Sequence, residues 1–212
     1  MKKKVNIYKL PKVNSWDEFY ANRSWPPVPK HEQDVLFKNE FLGKYPKGTS
    51  LLEVGCGDGK WSAILSSRFK VTAIDNSANA IKEALALCKV RKINNVEFLC
   101  GDALNAEGQY DIIFARGPSF LNFPSADVRF VSNFKKLLSL CTQEVIFNIA
   151  SRTPFEVWKP SGLLTPLADV DSPNSQWYHH DPEILKTNLA KLGAAHISYE
   201  KHKARIYASV KV

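Results

Sequence analysis

The residues best suited to chemistry are Glu53-Val54-Gly55-Cys56-Gly57-Asp58-Gly59. Three alternating glycines let the backbone approach a ligand closely, because no Cβ stands in the way. They fall where a short apolar run, Ser50 to Val54, gives way to a helix-period stretch from Lys60 to Phe69. The first N–H groups of such a helix have no partner inside it and favour anionic or hydrogen-bonding ligands. Two acids follow at corresponding places. Asp75 ends the run Lys70 to Asp75, twenty residues after Gly55, and Asp102 follows Val96 to Cys100 in Cys100-Gly101-Asp102-Ala103. A carboxylate at the tip of the second strand can accept hydrogen bonds from a ribose diol.

These positions meet only if the runs between them form one parallel sheet. The pattern predicts strands at Ser50–Val54, Lys70–Asp75, Val96–Cys100, Tyr110–Ala115 and Glu144–Ile149. Helices are expected at Lys60–Phe69, at Ala78–Lys89 with Ile81, Leu85 and Cys88 on one face, and at about Ala126–Leu140. Such βαβ alternation makes a parallel sheet with helices on both faces. A helix from Asp181 to Leu192 follows, with Asp181 as its cap and Pro182 at its first position. Two runs, Ala195–Glu200 and Arg205–Val212, then pair as a hairpin. Residues 1–29 and 150–180 leave the pattern. The first holds Trp16, Phe19, Tyr20 and Trp25 and ends in Pro26-Pro27-Val28-Pro29, before a helix expected from His31 to Leu42. The second carries four prolines and two tryptophans, too apolar for a mere linker.

The chain has 212 residues, 44% hydrophobic and 24% charged, which suits one soluble globular domain. That length buries roughly 70% of the unfolded surface without a metal or disulfide staple. The net charge of +8 brings a polyanion into consideration as a partner. No apolar run approaches the roughly 20 residues of a membrane span. Met1-Lys2-Lys3-Lys4 is not followed by the apolar core of a signal peptide. Cys56, Cys88, Cys100 and Cys141 are spaced too widely for a zinc knuckle or a redox pair. They read as reduced core thiols in a cytoplasmic protein.

At the glycine turn and its two acids the chain resembles the class I S-adenosylmethionine-dependent methyltransferases of small-molecule type. The likeness covers roughly residues 30–150, and the closing helix and hairpin extend it to residue 212. Glu53 to Gly59 matches their first motif, acidic-x-Gly-x-Gly-x-Gly. The resemblance implies an α/β three-layer sandwich with a mainly parallel seven-stranded sheet, last strand antiparallel: the Rossmann-like methyltransferase fold. It implies a single domain over 1–212, with a flap and helix at 1–45, a cofactor-binding core at 46–150, a substrate lid at 150–180 and a closing helix and hairpin at 181–212. It also implies S-adenosyl-L-methionine as the cofactor. Gly55 and Gly57 would line its methionine part, Asp75 its ribose hydroxyls and Asp102 its adenine amino group. Glu53, Cys56, Gly59, Asn76, Ala103 and Arg116 complete the expected contacts. In the aromatic-x-x-Arg flap, Arg23 would pair with the methionine carboxylate and Tyr20 would stand beside the methyl. The competing nicotinamide dinucleotide fingerprint, Gly-x-Gly-x-x-Gly, puts a third glycine where this chain has Lys60.

Methyl transfer is an in-line displacement on an activated carbon. Alignment supplies roughly 7–11 kcal/mol of barrier lowering, whereas a general base adds about 10²–10⁴-fold. His179 and His180, at the end of the long insertion, are the candidate bases, and Tyr20 is a further catalytic candidate; an aromatic lid contact is the alternative for the histidine pair. His31, His196 and His202 suit surface or capping roles, and no metal is expected. Ala115-Arg116-Gly117-Pro118-Ser119-Phe120 stands where amino-methylating enzymes of nucleic acid carry (Asn/Asp)-Pro-Pro-(Tyr/Phe). Arg116 either holds an anionic substrate group or pairs with an acid such as Asp111. The expected reaction is methyl transfer to an O or N atom of a small molecule or glycan. The alternatives are an RNA- or protein-modifying enzyme that holds a polymer on its basic surface, and a cofactor-binding protein without turnover. No membrane partner is expected.

Overall fold

The computed structural model describes residues 15–22, 42–150, 178, 180–200 and 205–212. Its strands are β1 (Ser50–Val54), β2 (Lys70–Asp75), β3 (Val96–Cys100), β4 (Tyr110–Arg116), β5 (Cys141–Ala150), β6 (Ala194–Glu200) and β7 (Arg205–Lys211). Its α-helices are α1 (Trp16–Asn22), α2 (Lys60–Leu65), α3 (Ala78–Val90), α4 (Val128–Ser139) and α5 (Pro182–Leu189). The strands form one sheet in the order β3-β2-β1-β4-β5-β7-β6. Strands β1 to β5 pair in parallel, and β7 runs antiparallel between β5 and β6. This is the expected seven-stranded sheet with its last strand reversed. A dinucleotide-binding sheet, ordered 3-2-1-4-5-6, lacks that reversed insertion.

Burial on both faces explains the apolar strands. One face packs Val145, Phe147, Ile113 and Ala115 under Phe130, Phe134, Leu137, Leu185 and Leu189 of α4 and α5. Phe130 and Phe134 stack at 5.9 Å, and Phe134 meets Phe147 edge-on. The other face sets Leu51, Val71, Ile112, Phe114 and Ile146 against Leu65, Phe69 and Ile81. Each fully buried side chain of this size contributes about 1.5–3 kcal/mol.

Several boundaries differ from the sequence pattern for local reasons. α2 stops at Leu65 because Ser66 and Ser67 turn their hydroxyls back onto the Ala63 and Ile64 carbonyls, at 2.9 and 2.8 Å. α3 buries Ala80, Ile81, Ala84 and Cys88, whereas Leu85 is exposed. Its inner face is rotated toward the small residues that let α2 come close. α4 begins two residues late, at Val128, where Asp127 caps it by accepting the Arg129 N–H at 2.8 Å. α5 starts as expected: Asp181 accepts the N–H groups of Glu183 and Ile184, and Pro182 occupies the first turn. It ends at Leu189, short of Leu192. Cys56, Cys88 and Cys141 are buried, but Cys100 is exposed at the end of the edge strand β3. The helix expected from His31 lies outside the described residues. No helix among those described is long and apolar enough to cross a membrane.

Candidate functional site

Strand β1 is flanked by β2 and β4, so the chain reverses its winding direction there. Open α/β sheets bind ligands at such a switch point, outside the carboxyl ends of the strands. The glycine turn leaves β1 at that crevice. The Gly55 and Cys56 N–H groups both donate to the Ile74 carbonyl, at 2.8 and 3.1 Å, folding the turn over the end of β2.

Asp75 joins the turn to α3. Its Oδ2 accepts the Gly57 N–H at 2.8 Å and its Oδ1 accepts the Ser77 N–H at 2.9 Å. The residue is 9% exposed, and burial pushes its pKa upward against those two bonds. A carboxylate offers about four acceptor positions, so this one keeps capacity for a further donor.

The glycines act differently from one another. Around Gly55, which is exposed, no atom lies within 4 Å of where a Cβ would stand. That open face is where backbone can meet a ligand. Gly57 has φ +54°, and a Cβ there would sit 2.3 Å from the Tyr20 hydroxyl. Gly59, at φ +72°, packs α2 onto α3: a Cβ would lie 2.7 Å from the Ala84 Cβ and 3.0 Å from its Cα.

Glu53 lies beneath the turn, 2% exposed, and accepts the Ser62 hydroxyl at 2.5 Å. Burial pushes its pKa up to about 8, with Asp75 and Asp58 adding to the rise and Ser62 and Arg116 opposing it. It braces β1 against α2. Cys56 is also buried, which pushes its thiol pKa strongly up and makes it a poor nucleophile. Asn76 is exposed in the β2–α3 turn. Asp102 is exposed and accepts the Leu104 N–H at 2.9 Å, starting a short 3-10 turn in which Ala103 is buried.

The aromatic flap forms α1. Ser15 starts it by accepting the Glu18 N–H at 3.1 Å, and Phe19 is buried between Trp16 and Tyr20. Asp17, which the sequence reading passed over, docks α1 on α3. It accepts the Ser77 hydroxyl and the Asn79 N–H, each at 2.9 Å, and the Asn79 amide at 2.9 Å. These bonds hold its carboxyl below the usual range. α3 has no acid in its own first turn, so Asp17 supplies the negative charge its N-terminus favours. Docking in this way carries Tyr20 over Gly57.

Arg116 ends β4 with its guanidinium 5.4 Å from the centre of the Trp61 ring. It does not pair with Asp111. That acid sits at the opposite end of β4, bonded to the Ser50 hydroxyl at 2.7 Å and to Gln143 and Thr142. His180 is 1% exposed, its ring packed against Phe130 and Tyr178. The Tyr178 N–H donates to Asn122, tying this segment to the loop after β4. Arg23 and His179 lie outside the described residues. Among the described residues no cluster of His, Cys, Asp and Glu is disposed to hold a metal.

Residues 51–139 match a family model described as a methyltransferase domain. A curated relative, the probable cobalt-precorrin-6B C(15)-methyltransferase (decarboxylating) of Methanococcus maripaludis strain C7, is 29% identical over 104 residues. The match covers 49% of this chain and 51% of the relative, so the chain spans about half that relative's length. Among solved structures, magnesium protoporphyrin IX methyltransferase from Synechocystis PCC 6803 with bound SAH gives a TM-score of 0.61 at 21% identity, over 84% of this chain and 78% of that one. The DhpI–SAM–HEP complex gives 0.57 at 23% identity, over 75% and 76%. These two likenesses are of fold. With the strand order, the reversed β7 and the glycine turn at the switch point, they show that the chain has the Rossmann-like methyltransferase fold, and within it residues 51–139 are similar to the methyltransferase domain that the family model describes.

Proposed function

We propose that the protein transfers a methyl group from S-adenosylmethionine to an O or N atom of a small molecule or glycan. The observation that carries this reading is the open backbone face at Gly55 beside a carboxylate, Asp75, held in place by two N–H donors. A diol fits the remaining acceptor capacity of Asp75, and the exposed Asp102 suits an amino group further along the edge. When bound, the cofactor supplies an electrophilic methyl group on sulfur. The chain's own work is alignment. α1, docked through Asp17, keeps Tyr20 against the turn, limits water there and borders the methionine end, with Arg23 near by in sequence. Arg116, the last residue of β4, serves an anionic group of the acceptor or of the cofactor.

Of the expected proton acceptors among the described residues, Tyr20 and not His180 stands beside the glycine turn. His180 is packed among aromatic rings, and we assign it to anchoring the segment before α5, the lid-contact alternative; His179 keeps the role of base. Alignment supplies more than any base here, roughly 7–11 kcal/mol against about 3–5. We read residues 1–212 as one domain, with 1–45 as flap and 150–180 as lid, in the cytoplasm, where the free thiols stay reduced. Relatives named for cobalt-precorrin-6B and magnesium protoporphyrin IX support a small acceptor over a polymer. Labelled methyl donor offered with pools of small hydroxyl and amino compounds, RNA and protein should label the small-molecule pool. Label in RNA or protein alone overturns the choice of acceptor, and no turnover with any pool overturns the activity.

A further inference from the structure

Asn148 is at odds with its surroundings. It lies on β5 and is 3% exposed, yet its Oδ1 has no hydrogen-bond partner among the described residues. Burying an amide oxygen without a partner costs about 1–3 kcal/mol. Its neighbours in sequence, Phe147 and Ile149, point into the core under α4 and α5. Asn148 therefore faces the other side of the sheet, with Ile146, Phe114 and Tyr207. Its direct cross-strand neighbours are Arg116 and Tyr207, and no described residue donates to its amide oxygen.

Register fixes its place relative to the glycine turn. Val54 pairs with Ala115, so Gly55 is level with Arg116, and Arg116 pairs with Asn148. Gly55, Arg116 and Asn148 thus form one row across the carboxyl edge. Neighbouring strands lie about 4.8 Å apart, so Asn148 stands roughly 10 Å from the glycine turn, on the far side of Arg116. The Gly117 N–H donates to the Asn148 carbonyl at 2.9 Å, which ties this backbone to the loop after β4. That is too far to serve groups held at the turn, and within reach of a second substrate placed beside them.

We infer that Asn148 positions the methyl acceptor, its Oδ1 accepting a hydrogen bond from a hydroxyl or amino group of that molecule. The inference rests on the methyl-transfer reading above. A neutral amide takes no proton, so its part is orientation and choice of substrate. It selects acceptors that carry a donor near the reacting atom over analogues that lack one, because those leave the buried oxygen unpaired.

The test compares Asn148→Val with the wild type in three measurements: thermal unfolding, calorimetry with S-adenosylmethionine, and methyl transfer from labelled donor to a small-molecule extract. The variant should unfold at the same temperature or higher, bind the donor equally, and transfer methyl about tenfold more slowly or worse. A clear fall in unfolding temperature would mean that the amide is structural and overturn the inference. Unchanged transfer by a folded variant would overturn it too. A wild-type chain that binds no donor removes the methyl-transfer reading itself, and this inference with it; the calorimetry separates that failure from the others.

Discussion

The carboxyl edge of the sheet has two halves that treat polar groups differently. On the β1–β2–β3 side the acids are engaged. Asp75 holds the Gly57 and Ser77 N–H groups, Glu53 the Ser62 hydroxyl, Asp102 the Leu104 N–H, and Asp17 the first turn of α3. On the β4–β5 side Arg116 lies over the Trp61 ring, and the buried Asn148 oxygen accepts nothing from the described residues. A site whose ligand never changes gains from side chains fixed in advance, since little ordering is left for binding. A polar atom left buried without a partner is tolerated where a ligand completes it. In the proposed reaction the first half would hold the methyl donor and the second the acceptor.

The contrast can be broken first at its scaffold. Gly59→Ala forces a left-handed residue and a 2.7 Å contact with the Ala84 Cβ, with the Ala84 backbone just behind. Strain and overpacking together should cost about 3 kcal/mol, a fall of roughly 6–12 °C in unfolding temperature. A variant as stable as the wild type would show that α2 and α3 do not depend on that contact.

A smaller effect concerns the buried acid. The folded Glu53 keeps its proton up to about pH 8, whereas the unfolded one loses it near 4.5. Between those values the folded state binds more protons, so its contribution to stability falls as pH rises and levels off above about 8. Glu53→Gln keeps an acceptor for Ser62 and removes the titration. Its unfolding temperature relative to wild type should therefore rise from pH 5 to pH 8. An unchanged difference would place the pH dependence elsewhere.

Smaller again is the flap. Asp17→Ala removes the acceptor that docks α1 on α3 and leaves Tyr20 less well held. Donor binding should weaken roughly three- to tenfold, read by calorimetry. Equal affinity would exclude α1 from the donor site.

Much of this was legible in the residues. The glycine turn and the acids after the second and third strands are local features of strand ends, and the apolar runs between them set the sheet. What failed to show depends on partners distant in sequence. Asp17 looks like any acid in an aromatic stretch until α1 meets Ser77 and Asn79. Asn148 is hidden in the run Val145-Ile146-Phe147-Asn148-Ile149, where alternation marks its face but not its lack of a partner. Helical spacing groups Leu85 with Ile81 and Cys88, yet Leu85 is exposed and the small Ala84 is what lets Gly59 approach. The Asp111–Arg116 pair could have been rejected from geometry alone, since five residues of strand span about 17 Å.

Calorimetry with S-adenosylmethionine on Asp75→Ala and Asn148→Val, beside the wild type, tests the division most directly. The account predicts binding roughly 10–100-fold weaker in Asp75→Ala, where a charged acceptor is lost, and unchanged in Asn148→Val. Equal affinity in all three proteins, or weakening confined to Asn148→Val, would contradict it.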